Sequence, residues 1–168
     1  MRRALFLASL AAAVATPWLV ARGQDRARGL SPVAVSLASQ ESAGYVKAFN
    51  GHNSKALAAL FTSDASMAFL QGSSVEKLDY GMVEGRDEIV GAHETFFSIF
   101  PDARLTQTVL SARLVRPDLL MADVDFEIRG LPRDAGPIRG RTVVLRVLES
   151  GVWKIAAERS FSRTPVIK

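Results

Sequence analysis

Apolar and polar positions alternate with two different periods along the chain, and the change from one to the other divides it. Residues 85–100 place Ile89, His93, Phe96, Phe97 and Phe100 at helical spacing, which predicts one amphipathic helix with a histidine on its oily stripe. Pro101-Asp102 stops that helix. Upstream, Ser31-Pro32 is a serine cap followed by proline at the first helical position, predicting a helix to about Asn50. Its face carries Ser42, Tyr45, Val46 and Phe49, and Gly44 weakens it. Gly51-His52 breaks it, and Asn53 or Ser54 caps a short second helix over 55–61.

The polar triplet Thr62-Ser63-Asp64 is expected to be a turn in which Asp64 bonds exposed backbone amides. A weakly alternating strand over 66–71 and a short returning strand over 80–84 follow it. Beyond Pro101 the period is two. Strands are predicted at 104–115, 119–129, 138–148 and 152–161, punctuated by Arg116-Pro117-Asp118, by a loop over 130–136 and by a tight turn at Glu149-Ser150-Gly151. In the second of these, Ala122, Val124, Phe126 and Ile128 form the core face. Asp123, Asp125, Glu127 and Arg129 face outward, toward Arg141 or Lys154 on neighbouring strands. If that face pointed inward instead, repulsion among the carboxylates would make one of them a base. Helices first and long antiparallel strands last predict an α+β domain.

The N-terminus changes the compartment. Met1-Arg2-Arg3, a nearly uninterrupted apolar run over 4–14 and small residues near Ala15 and Ala21 form an export-signal pattern. Pro17 interrupts the run before it reaches the roughly 20 apolar residues of a spanning helix. The expected organisation is a signal peptide over 1–21, with cleavage between about 15 and 24, a flexible lead-in over 22–35, one domain over 36–163 and a loose tail over 164–168. The expected location is periplasmic or secreted in a bacterium, with no integral membrane segment after cleavage.

Composition narrows the chemistry. With no cysteine there is no disulfide, thiolate metal site or lipidation point, and two histidines 41 positions apart make no standard zinc pattern. No metal and no cofactor are expected. The net charge of +4 includes Arg2 and Arg3, so cleavage leaves +2. The late arginines, from Arg129 through Arg139, Arg141, Arg146 and Arg159 to Arg163, form no basic–aromatic run, which excludes a nucleic-acid groove and predicts a solvated sheet face.

His93 is the leading candidate site residue, either a general acid/base near neutral pH or a core histidine bonded to a backbone carbonyl. His52, before a helix cap, is read as structural. Tyr45 faces the core and offers a hydroxyl to a ligand carbonyl or to an internal partner. Arg159 shares the alternation of Trp153, Ile155 and Ala157, and a register error of one residue would exchange it for Glu158. Phe69, Phe96, Phe97 and Phe100 supply apolar lining.

The block from Tyr45-Val46-Lys47-Ala48-Phe49 through Leu60-Phe61 to Ala65 resembles the opening of the nuclear transport factor 2-like superfamily, SnoaL-like branch, including small exported SgcJ/EcaC-type bacterial proteins. Gly85-Arg86 with Ile89, His93 and Phe97 is similar to its third-helix entry, and Gly151-Val152-Trp153-Lys154 to its terminal strand. Relatives commonly carry aspartate where this chain has Asn53, and both cap helices. The resemblance implies a cone-shaped α+β barrel, three N-terminal helices packed on a strongly curved, mostly antiparallel sheet, often a homodimer through the open sheet face. It implies no single activity. The expectations are a pocket for a small apolar or amphipathic molecule with Tyr45, Phe69, Phe97, Phe100 and Arg159 as ligand contacts, or an isomerase- or cyclase-like enzyme using His93, or an assembly module.

Overall fold

The computed structural model describes residues 31–74, 77–132 and 136–163. The signal-peptide and tail expectations lie outside them. Helix α1 spans Pro32–Asn50, α2 Ser54–Leu60 and α3 Arg86–Ile99. The strands are β1 Phe61–Ser74, β2 Lys77–Glu84, β3 Arg104–Arg116, β4 Leu119–Arg129, β5 Ile138–Glu149 and β6 Val152–Arg163. They form one sheet in the order β2-β1-β6-β5-β4-β3, antiparallel throughout except between β1 and β6. This is the expected α+β architecture.

Local chemistry explains most boundaries. Proline opens α1, although the Ser31 side chain makes no capping bond. The helix starts at Pro32, as the Ser31-Pro32 pattern predicts, and Ala34 in its first turn is wholly buried against the core. Asn53 caps α2 by accepting a bond from the Ala56 amide at 2.9 Å. The β5–β6 turn uses Ser150 and Gly151, both at positive φ (51° and 82°), a geometry that suits the right-handed twist of a hairpin.

The triplet Thr62-Ser63-Asp64 is not a turn. Phe61 already belongs to β1, and Asp64 stands exposed on that strand. Opposite β6, Phe61 pairs with Ile155 and Ser66 with Ala157, so the polar residues sit where the register slips. The helices pack on one face of the sheet, α1 against β3 and α3 against β1 and β2. Phe49, Leu57, Phe61, Ile89, Leu120 and Ile155 form the core between the layers.

Candidate functional site

A cavity of about 330 Å³ lies between the helices and the sheet, within the size range of small-molecule sites. Phe49, Phe96, Met67, Phe69, Phe126 and Ile128 give it apolar walls. Tyr45, Gln107, His93, Glu158 and Ser160 give it a polar side.

Each polar group is placed by its element. His93 lies one turn after Ile89 on α3 and is 6% exposed. Its Nδ1 is 2.8 Å from the Ile89 carbonyl oxygen, and its Nε2 is 2.9 Å from the Tyr45 hydroxyl of α1. A carbonyl oxygen only accepts, so Nδ1 carries the proton and donates. In the neutral ring Nε2 is then an acceptor, and the Tyr45 hydroxyl donates to it. Burial pushes the His93 pKa down, against the favourable carbonyl bond, and so holds the ring neutral. Burial, reinforced by the charge of Glu158, raises the Tyr45 hydroxyl well above its ordinary value; Arg146 opposes this. Phe49, Phe61 and Phe97 surround the imidazole with ring centroids 6.0–6.3 Å away.

Glu158 reaches the cavity through a bulge. On β6, Leu145 of β5 faces Ala157 and Arg146 faces Ile155, leaving Ala156 as an extra residue. The alternation therefore reverses: Ile155 points inward, and past the bulge so do Glu158 and Ser160, each at most 7% exposed. Glu158 Oε1 lies 3.3 Å from the Thr142 hydroxyl and 3.2 Å from that of Ser160, both able to donate to it. Burial pushes the carboxyl above its ordinary value, and the two hydroxyls and Arg146 only partly offset this.

Below these groups, toward the other end of α1, Arg146 is 4% exposed. Its guanidinium is 3.8 Å from Glu41, and Nη1 has no hydrogen-bond partner among the described residues. Burial lowers its pKa, while Glu41, Glu158 and Tyr45 oppose that shift. Ser42 donates to Gln107 Oε1 at 2.6 Å and fixes that amide beside Tyr45.

The sequence candidates divide. Tyr45, Phe69 and His93 meet on the cavity wall. Arg159 does not: the bulge turns it to the opposite face, where it donates to the Ser66 carbonyl and hydroxyl at 3.1 and 2.9 Å. Phe97 packs beneath the lining, stacked on His52 at 4.4 Å and edge-on to Phe49. Phe100 caps the C-terminal end of α3 and leans on Phe96. His52 is held by that stack and by a 3.4 Å contact to the Ala103 carbonyl. Arg146 is the exception to the solvated arginines. The acidic row of β4 does face outward, with Asp125 paired to Arg141 at 2.9 Å, whereas Lys154 pairs with Glu149. Among the described residues, no group of three or more His, Cys, Asp or Glu side chains is placed to hold a metal ion.

A curved mixed sheet with three helices on one face and a cavity between the layers defines the nuclear transport factor 2-like class. Residues 43–157 match the family described as the SnoaL-like domain, and the chain belongs to that family, the SnoaL branch of the superfamily. No curated protein matches it. Among solved structures, an uncharacterised protein with a cystatin-like fold from Caulobacter vibrioides is similar. It has 25% identity and a TM-score of 0.60, over 78% of this chain and 91% of that one. An NTF-2 like protein from Shewanella oneidensis shares 16% identity, TM-score 0.57, over 74% and 95%. A ketosteroid isomerase-like protein from Erwinia carotovora atroseptica shares 15%, TM-score 0.57, over 80% and 100%. These likenesses establish the fold.

Proposed function

We propose that the cavity binds one small amphipathic molecule, apolar body against the phenylalanine wall and polar end on Tyr45, Gln107 and Glu158. The observation that carries this reading is the 330 Å³ of apolar-walled space closed on one side by a buried, cavity-facing carboxyl. Transfer of an apolar body into such a space is favourable by about 25 cal/mol per Å² removed from water. The neutral fluorophore N-phenyl-1-naphthylamine tests it. Saturable one-to-one binding is expected, and Ala92→Trp, which fills the rim of the cavity, should abolish it while the circular dichroism spectrum is unchanged. Absence of binding, or undiminished binding by Ala92→Trp, overturns the proposal.

A second reading, proton transfer on a bound substrate, is favoured by Glu158 itself. A carboxyl held up by burial titrates nearer neutral pH and suits a general acid or base. Both ring nitrogens of His93 are engaged, so in this reading Glu158 moves the proton and His93 holds Tyr45.

The proposal includes export and pairing. The basic start and apolar run over 1–21 support a cleaved signal, which N-terminal sequencing of the protein purified from the periplasm would check. Met121, Asp123, Val143 and Leu145 alternate with the buried Leu120, Ala122 and Val144, so they stand on the open sheet face that a second copy would cover. Sedimentation of a monomer at micromolar concentration would remove that part.

A further inference from the structure

We infer that His93 is a positioning residue that turns the Tyr45 hydroxyl into a hydrogen-bond acceptor, so that the cavity selects a ligand whose buried polar end donates, an alcohol or an N–H, over a carbonyl isostere. The inference rests on the ligand-binding reading above and deepens it.

The geometry runs in one direction from the backbone outward. The Ile89 carbonyl is one turn before His93 on the same helix and fixes the proton on Nδ1. Nε2 is left with a lone pair and meets the Tyr45 hydroxyl at 2.9 Å. A hydroxyl has one proton, and this one is committed to the imidazole. The tyrosine oxygen keeps its acceptor capacity. Tyr45, His93 and Glu158 line the same cavity, so the hydroxyl stands at the wall where a ligand's polar end would lie.

The neighbours do not reverse the selection. Glu158 Oε1 is taken by the hydroxyls of Thr142 and Ser160, and its other oxygen has no partner among the described residues. Ionised, that oxygen is a second acceptor; protonated, it supplies a donor beside an acceptor. A ligand hydroxyl, which donates and accepts at once, satisfies both arrangements. A ketone satisfies only one and brings no donor to the Tyr45 oxygen, which keeps its bond to His93 but gains none from the ligand. Gln107 contributes amide protons that serve an alcohol oxygen and a ketone oxygen alike. The difference between the two ligands thus falls on Tyr45, and through it on His93.

Borneol and camphor test this. They share one carbon cage and differ in whether the oxygen can donate. By isothermal titration calorimetry on the purified protein, borneol is expected to bind about tenfold more tightly, the equivalent of one net hydrogen bond. His93→Leu frees the Tyr45 proton for the cavity and should erase or invert the preference. Tyr45→Phe keeps the ring and removes the acceptor, and should equalise the two ligands with camphor affinity retained. Equal or tighter camphor binding by the unaltered protein overturns the inference and leaves the cavity reading standing. A borneol preference that survives both substitutions does the same. If neither terpenoid binds and N-phenyl-1-naphthylamine does not either, both readings fall together.

Discussion

Glu127 and Glu158 are the same side chain on neighbouring parts of one sheet, and they behave in opposite ways. Glu127 lies on the outer face of β4, bonded to Arg129 and, at 2.9 Å, to Arg139. Those hydrogen bonds hold its carboxyl below the ordinary range. Glu158 lies on the inner face of β6 with two hydroxyls and a more distant guanidinium, and burial pushes its carboxyl up. Outside, solvent makes arginines available and charge inexpensive. Inside, neutral donors do the holding, and the carboxyl gives up its proton less readily. The difference teaches that residue type alone says little about chemistry in this fold. The face of the strand decides, and one bulge residue decides the face.

Adjacent residues of β5 give the sharpest version of that contrast. Gly140 faces inward, and the Phe126 ring that lines the cavity lies against its backbone. A Cβ there would stand 2.2 Å from the Phe161 carbonyl oxygen and 2.7 Å from the ring, so both β6 and Phe126 must move. Gly140→Ala is therefore expected to have the largest effect on stability, at or beyond the roughly 3 kcal/mol upper end of ordinary overpacking. Urea unfolding measures it. A change below about 1 kcal/mol would mean that the inner face is far more yielding than close packing implies.

How far the two faces were legible in sequence follows the same division. The alternation of β4 is local and unbroken, so Leu119–Arg129, its inward residues and the outward Asp125–Arg141 pair can be read directly. The helical stripe around His93 is local too, and it leads to the cavity wall. Arg159 fails because its orientation was counted from Trp153, across Ala156, and nothing in Ile155-Ala156-Ala157 marks one alanine as a bulge. The pairing that creates the bulge belongs to β5, ten or more residues away. Thr62-Ser63-Asp64 fails for a related reason: three polar residues read as a turn, but Phe61 before them pairs with Ile155 and Ser66 after them with Glu84 and Ala157, so the strand runs on through the unpaired triplet. Gln107 and Arg146 carry no signal, because their inward positions depend on which face α1 covers. Phe97 and Phe100 share the stripe with His93, yet a stripe about 100° wide is broader than a cavity wall.

Acidity separates the faces with a smaller effect. The Glu158 carboxyl is raised above its ordinary 4.5, so the native state holds this proton more tightly than the unfolded chain. Stability from this group is fully present below pH 4.5 and is lost as pH rises through the raised native value. Glu158→Gln has no such loss. The variant's melting temperature, relative to that of the unaltered protein, should therefore climb between pH 4.5 and pH 8. His93 is present in both proteins, and its own depressed pKa, which costs stability as pH falls below 6.5, cancels in the comparison. A gap that stays constant across that range would show that Glu158 is ionised in the native state as readily as in water, and the contrast with Glu127 would disappear.

The smallest effect is expected one residue from the largest. Arg141 follows Gly140 on β5 but points outward, where its guanidinium pairs with an exposed Asp125 at 2.9 Å. Hydrogen bonding to that carboxylate raises the arginine's already high pKa, which changes no protonation state near neutral pH. Exposed pairs hold little free energy because water and salt compete for both charges. Arg141→Ala should leave the urea midpoint of the monomer unchanged within error, in low salt and in high. Its value lies in the alternative result. A loss of stability that deepens with protein concentration would mean that a second copy covers this pair and excludes water from it. The outer face would then follow the rules of the inner one, and the distinction between the two glutamates would be set by assembly as well as by the bulge at Ala156.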